Sequence, residues 1–364
     1  MGEFVLVDIA DNRRVKQLIV LGNGFDLTCG LKSQYADFYQ SVRSSNQFNN
    51  ILVDYAFETK LRNPNWADVE SNLLNLLNSI ASYYKGEYDG DDALLCDLLN
   101  ELGNKYRPKG YLKGHIRDKK LENLPIAFSL MKEEVTEFEQ RLATFLDSQL
   151  INSNYRENNK KLSVVLSLAE YRNDLLYEDE FGIKPQVMRT GDYAADFLTF
   201  NYTPVSDEAY PHQIQNIHGS IDEENTILGI DGHEAEDELL EFTKTYRLLS
   251  HNQVPARIDF SQEFDCIKFF GHSLGEADYS YFQSIFDGLD LYSAKTKLFF
   301  YFDVYDLGKS TEIISQNYHA VSKLLKHYGE TFKSNPDHGK NLMHKLILEG
   351  RLEVKDLYFS ALNK

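Results

Sequence analysis

Residues 17–26 read Gln-Leu-Ile-Val-Leu-Gly-Asn-Gly-Phe-Asp, a short apolar run that stops at two glycines and a helix-starting acid. An apolar run without polar alternation suits a strand covered on both faces, as in a parallel sheet. Gly22 and Gly24 then stand at a strand-to-helix turn, where backbone N–H groups can face a phosphate. The usual dinucleotide fingerprint places a third glycine three residues after the second, and here that position is Leu27. Nor does an acid close a second strand about 20 residues on, because that region has helical spacing. An ordinary nicotinamide dehydrogenase is therefore disfavoured. Taken alone, the turn is a weak signal and reads first as a tight bend with Asp26 capping a helix.

Outward from this stretch, four runs share its character: Phe197–Phe200, Gln215–Ile217, Cys266–Phe270 and Lys297–Val304. A weaker run lies at Thr226–Ile230, and Leu352–Leu357 reads as a last strand. Gly22, Asn201, His218 and Gly271 fall at C-terminal strand ends, the edge where open α/β sheets hold ligands. From Tyr35 onward the period changes. Tyr35, Phe38, Tyr39 and Val42, then Leu73, Leu74, Leu77 and Ile80, then Val135, Phe138, Leu142 and Phe145 follow helical spacing. The expected organisation is a core of residues 1–34 and 190–306, a helical insertion over 35–189, and a mostly helical C-terminal region over 307–364. Acidic Glu87–Asp92 reads as a solvated loop, basic Gly103–Gly114 as a mobile loop, and Glu234–Glu241 as the start of a helix.

The whole chain has 364 residues, 38 basic and 56 acidic, for a net charge of −18. That field argues against sequence-independent nucleic-acid binding. The 23 tyrosines and 23 phenylalanines supply enough buried surface to argue against disorder. Cys29, Cys96 and Cys266 are too far apart for a zinc knuckle or a disulfide framework, so no metal is expected. No apolar stretch approaches the ~18 residues of a membrane span, and no leader is recognised, so a cytoplasmic, membrane-free protein is expected.

Three more motifs carry possible chemistry. Asn201 in Thr199-Phe200-Asn201-Tyr202-Thr203 can donate and accept, which suits a sugar hydroxyl or a water. His218 in Ile217-His218-Gly219-Ser220 ends a strand and titrates near neutrality, as a general base requires. Gly271-His272-Ser273-Leu274-Gly275 fits the nucleophile elbow of a serine hydrolase, whose acid and histidine would be Asp303 or Asp306 with His319 or His327. The hydrolase alternative leaves the Gly22 turn and Asn201 without roles.

Together, GNGFDLTCGLKSQYADFY, WADVE (Trp66–Glu70), FLTFNYT, NIHGS, ILGID and GHSLGEADYSYF resemble the AbiH family of phage abortive-infection proteins. The same core is similar, more distantly, to sirtuin-like NAD-binding domains. The resemblance implies an α/β fold with a Rossmann-like, mainly parallel sheet. It implies an anti-phage effector that binds a dinucleotide and hydrolyses NAD to nicotinamide and ADP-ribose. On it, Gly22, Asn23 and Gly24 lie near the pyrophosphate, Asn201 and His218 act at the nicotinamide ribose, and Gly271, Ser273 and Asp278 line the adenosine side. A phage-derived trigger or assembly into a homo-oligomer would open the site. Asp26 departs from the sirtuin-like pattern: a carboxylate there must turn away, cap the helix or bind sugar hydroxyls. That departure leaves open a non-catalytic nucleotide sensor.

Overall fold

Alternate residues of the first strand point to opposite faces, and both faces are covered. Leu18 and Val20 join one apolar core, and Ile19 and Leu21 join another; all four are fully buried. The computed structural model describes residues 16–45, 48–59, 68–90, 92–106, 123–151, 153–169, 176–179, 182–185, 195–206, 211, 213–232, 235–250, 258–260, 263–275 and 278–362.

Strand β1 (Gln17–Leu21) leads into the short α1 (Gly24–Thr28). Six helices follow: α2 (Tyr35–Ser45), α3 (Ile51–Thr59), α4 (Val69–Lys85), α5 (Asp92–Tyr106), α6 (Leu124–Leu150) and α7 (Ser153–Leu168). A two-stranded antiparallel hairpin, β2 (Leu176–Asp179) and β3 (Gly182–Pro185), precedes the return to the sheet. Then come β4 (Ala195–Thr199), β5 (Gln213–Asn216), a 3-10 turn (Asp237–Phe242), α8 (Lys244–Ser250), β6 (Cys266–Phe270), α9 (Tyr279–Gly288) and β7 (Lys297–Phe302). The chain ends with α10 (Ser310–Glu330), α11 (Pro336–Leu348), β8 (Leu352–Asp356) and α12 (Phe359–Leu362).

Among the described residues, six strands form one parallel sheet in the order β5-β4-β1-β6-β7-β8. Counted along the chain, that is 3-2-1-4-5-6, the doubly wound Rossmann order. The order reverses between β1 and β6, so a crevice is expected beyond the C-terminal ends of those two strands. The insertion helices α2–α7 share the Ile19 core, while α9, α10 and α11 cover the Leu18 face. β8, beyond the C-terminal helix pair, closes the sheet at its far edge, next to β7.

Several sequence readings are corrected here. Thr226–Ile230 is not a strand; only Ile230 makes an isolated bridge, to Thr243. Ile227 and Leu228 are buried, but Leu228 satisfies its backbone elsewhere. Its N–H donates to the Glu139 carboxylate and its carbonyl accepts from Arg247. An apolar run whose polar backbone is met by side chains needs no neighbouring strand. The strand expected at Gln215–Ile217 begins earlier, at Gln213, and its half-buried edge position hid it. Of the helix expected from Glu234–Glu241, Glu234 lies outside the described residues, and Asp237–Phe242 form a 3-10 turn before Thr243 adopts an extended conformation and α8 begins. The β2–β3 hairpin inside the helical stretch was not anticipated. In the basic loop, α5 continues through Tyr106, and residues 107–114 lie outside the described residues. No helix among the described residues is long and apolar enough to cross a membrane.

Candidate functional site at the switch point

The two glycine turns lean on each other at the crevice. Gly22 N–H donates to the Phe270 carbonyl at 3.0 Å, and Gly24 N–H to the Gly271 carbonyl at 2.7 Å. A Cβ on Gly24 would lie 2.6 Å from Gly271 Cα, and a Cβ on Gly271 would lie 2.4 Å from Phe25 N. Gly271 also has φ +70°, a backbone region that favours glycine. These glycines are thus required by backbone-to-backbone packing, and two N–H groups read as phosphate donors are already engaged. Asn23 binds Ser33 through both ends of its amide.

A cavity of about 970 Å³ opens beside this contact. Asn23, Gly24, Asp26, Asn201, His218, Gly271, Ser273 and Asp278 all line it. Gly22 enters indirectly, since its carbonyl accepts from Asn201 Nδ2 at 3.1 Å. The Asn201 N–H donates to Thr199 Oγ1 at 3.0 Å, and Asn216 Nδ2 donates to the Asn201 carbonyl at 2.9 Å. The amide is therefore fixed in place and 6% exposed.

His218 follows β5. The next residue must be glycine: Gly219 has φ +78°, and a Cβ there would meet the Asn225 carbonyl oxygen at 2.0 Å. Asn225 Oδ1 also accepts from Ser220 N–H, which holds the turn. His218 is 4% exposed, and its Nε2 has no hydrogen-bond partner. The nearby Tyr281 hydroxyl is likewise buried without one. Burial, helped by the Lys244 charge, pushes His218 down to about 3 against the pull of Asp278, so its imidazole is neutral at physiological pH.

Asp278 is the hub. His272 Nδ1 accepts the Leu274 N–H at 2.9 Å, so in the neutral ring the proton sits on Nε2, 3.3 Å from Asp278 Oδ2. Lys244 Nζ donates to Asp278 Oδ1 at 2.7 Å and to Glu70 Oε2 at 2.8 Å. His218 Nε2 lies 3.6 Å from Asp278 Oδ1. Burial would raise Asp278, but Lys244 and the His272 hydrogen bond hold it well below the usual carboxylate range. Glu70 shares only Lys244, and burial prevails there: its carboxyl rises toward neutrality. Lys244, 2% exposed, would be lowered by burial, yet its two carboxylates hold it above its ordinary range.

Asp26 turns away from the helix cap. It accepts from Thr203 Oγ1 at 2.8 and 2.9 Å and from the Tyr155 hydroxyl at 2.9 Å. Burial raises it to about 6 despite those bonds. The serine-hydrolase partners bond to other groups, although Asp303 also lines the cavity. Asp303 accepts from Ser360, Asp306 from Gly308 N–H, His319 bonds Ser315 one turn away, and His327 stacks on Tyr279 at 3.8 Å. The positive φ falls on Gly271 and Leu274, leaving Ser273 unstrained.

Glu70, His272, Lys244 and Tyr281 were not singled out from the sequence. Three of them, Glu70, His272 and Tyr281, lie inside motifs that were. In WADVE, Asp68 caps α4 by accepting from Glu70 and Ser71 N–H at 3.1 Å each, which sets Glu70 in the first turn. In ILGID, a Cβ on Gly229 would meet Lys244 N and the Phe242 carbonyl at 2.8 Å, so that glycine lets the chain carrying Lys244 pass close. Asp231 accepts from Ser280 Oγ at 2.8 Å and ties the same segment to α9. Trp66, Ala67, Glu276 and Ala277 lie outside the described residues.

A family model for bacteriophage abortive infection AbiH matches residues 18–301. That span holds Gly24, Asp26, Glu70, Asn201, His218, Lys244, Ser273 and Asp278, and the chain belongs to the AbiH family. No curated protein matches the chain.

Proposed function

We propose that this AbiH-family protein, whose family gives it a role in phage abortive infection, acts by cleaving the nicotinamide–ribose bond of NAD in the switch-point cavity. One observation carries the reading: Asn201, His218, Gly24, Ser273 and Asp278, from four separate motifs, line one cavity where the sheet order reverses. The fit is supported by the orphaned His218 Nε2 in the wall and by a volume suited to a dinucleotide. Asp26, Asp68, Glu70, Asp278 and Asp303 line the cavity, and no lysine or arginine does among the described residues. Such a wall favours the cationic nicotinamide end of the oxidised dinucleotide and an oxocarbenium-like transition state.

The residues divide the work. Asn201, clamped through Gly22, Thr199 and Asn216, orients a ribose hydroxyl or a water. Neutral His218 accepts a hydrogen bond at Nε2 and positions the ribose, and its lowered basicity makes it an orienting group. Asp278, ionised and buried, supplies negative charge near the reacting carbon. Purified protein incubated with NAD, with and without lysate of infected cells, should release nicotinamide, and Asn201→Ala or His218→Ala should abolish the release.

A second reading, a sensor that binds the nucleotide without turnover, is favoured by the engaged Gly22 and Gly24 N–H groups and the weak basicity of His218. Calorimetric binding with no product would select it.

A further inference from the structure

We infer that Glu70, carried by the helical insertion, is the base that takes the proton of the attacking water; this rests on the NAD-cleavage reading. The bond chemistry leaves one proton to place. The ribose C1′–N bond breaks with its electron pair going to the ring nitrogen, so the pyridinium departs as neutral nicotinamide and needs no acid. A C1′–O bond forms from water, and the proton that water loses needs an acceptor in the cavity wall.

The carboxylates of that wall differ in what they already hold. Asp26 accepts from Thr203 and Tyr155. Asp68 accepts two α4 N–H groups and the Ser71 hydroxyl. Asp278 accepts from Lys244 and His272, and Asp303 from Ser360. Glu70 has a single charged donor, Lys244 at its Oε2. His218 has an available nitrogen, but burial lowers its basicity too far for the task. Glu70 is the opposite case, since burial lifts its basicity toward the working pH, where a general base performs best.

Of the charged groups facing Glu70, Asp278 and Asp68 reinforce this state and Lys244 opposes it, with burial outweighing all three. Lys244 stands between it and Asp278, and Asp68 precedes it on α4. Tyr35 of α2, Tyr202 after β4 and Tyr281 of α9 also face it, and all three phenols are raised by burial and stay neutral. The insertion thereby completes a site whose other parts come from the sheet core.

The test compares nicotinamide release by wild type, Glu70→Gln and Glu70→Asp, with and without sodium azide, with and without infected-cell lysate. Glu70→Gln should lower kcat by about 10²–10⁴-fold with KM within a few-fold. Azide carries no proton to lose, so it should restore release in Glu70→Gln and yield ADP-ribosyl azide, while changing wild type little. Glu70→Asp should retain activity with a shifted pH profile. A Glu70→Gln rate within tenfold of wild type overturns the inference, as does a folded Glu70→Gln that azide fails to restore. If Glu70→Gln does not fold, an unchanged pH profile and rate in Glu70→Asp overturn it. Absence of release by wild type itself would overturn the NAD reading together with this inference, an outcome distinct from failure of the variants alone.

Discussion

Gly24 donates its amide to the Gly271 carbonyl at 2.7 Å, and each glycine occupies the space a side chain on the other's turn would need. The contact joins the turn after β1 to the turn after β6, the two strands between which the sheet reverses. It fixes the floor of the cavity and explains why both motifs carry glycine.

Gly271→Ala should therefore destabilise the protein by about 2 kcal/mol or more, from left-handed strain plus a backbone clash. Gly275→Ala is the control. Gly275 has no positive φ, and its Cβ would meet only the Ser273 hydroxyl at 3.4 Å. Its midpoint in urea should be nearly unchanged, and a similar loss in both variants would contradict the packing account.

Asp26 and His218 should pull stability in opposite directions as pH changes. Asp26 rises from 3.8 to about 6 on folding, so between those values the folded state binds more protons than the unfolded one. Stability conferred by that excess falls as pH rises through the window, by about 3 kcal/mol in all. Asp26→Asn should remove the slope in urea melts.

His218 falls from 6.5 to about 3, so the unfolded state holds the extra proton between those values. Its contribution is complete above 6.5 and is lost as pH falls below it. His218→Gln should lessen acid sensitivity, and the His218 ring should show no NMR titration between about pH 5 and 8.

Lys244 is 2% exposed and holds Glu70 and Asp278 together. Lys244→Met should cost about 3–5 kcal/mol by leaving two buried carboxylates uncompensated. Adding Glu70→Gln and Asp278→Asn should recover much of that loss, which chemical denaturation would show. A triple variant as unstable as the single one would place the cost in packing.

The strands that carry the site were legible because β1, β6 and β7 are buried on both faces and read as apolar runs. The strand-end residues Asn201, His218 and Gly271 were legible because a run that stops at a polar residue or glycine marks the sheet edge. Lys244 was not, because a lone lysine in an acidic protein carries no local signal. Its importance comes from Glu70 and Asp278, which lie 174 and 34 residues away. Leu228 misled in the other direction. Its burial looked like a strand's, but its backbone partners, Glu139 and Arg247, are side chains.

The most direct measurement is chromatographic detection of nicotinamide after incubating the purified protein with NAD, with and without lysate of phage-infected cells. The account predicts release in at least one condition by wild type and none by Asn201→Ala or His218→Ala. No release in either condition, or release undiminished in both variants, would contradict it.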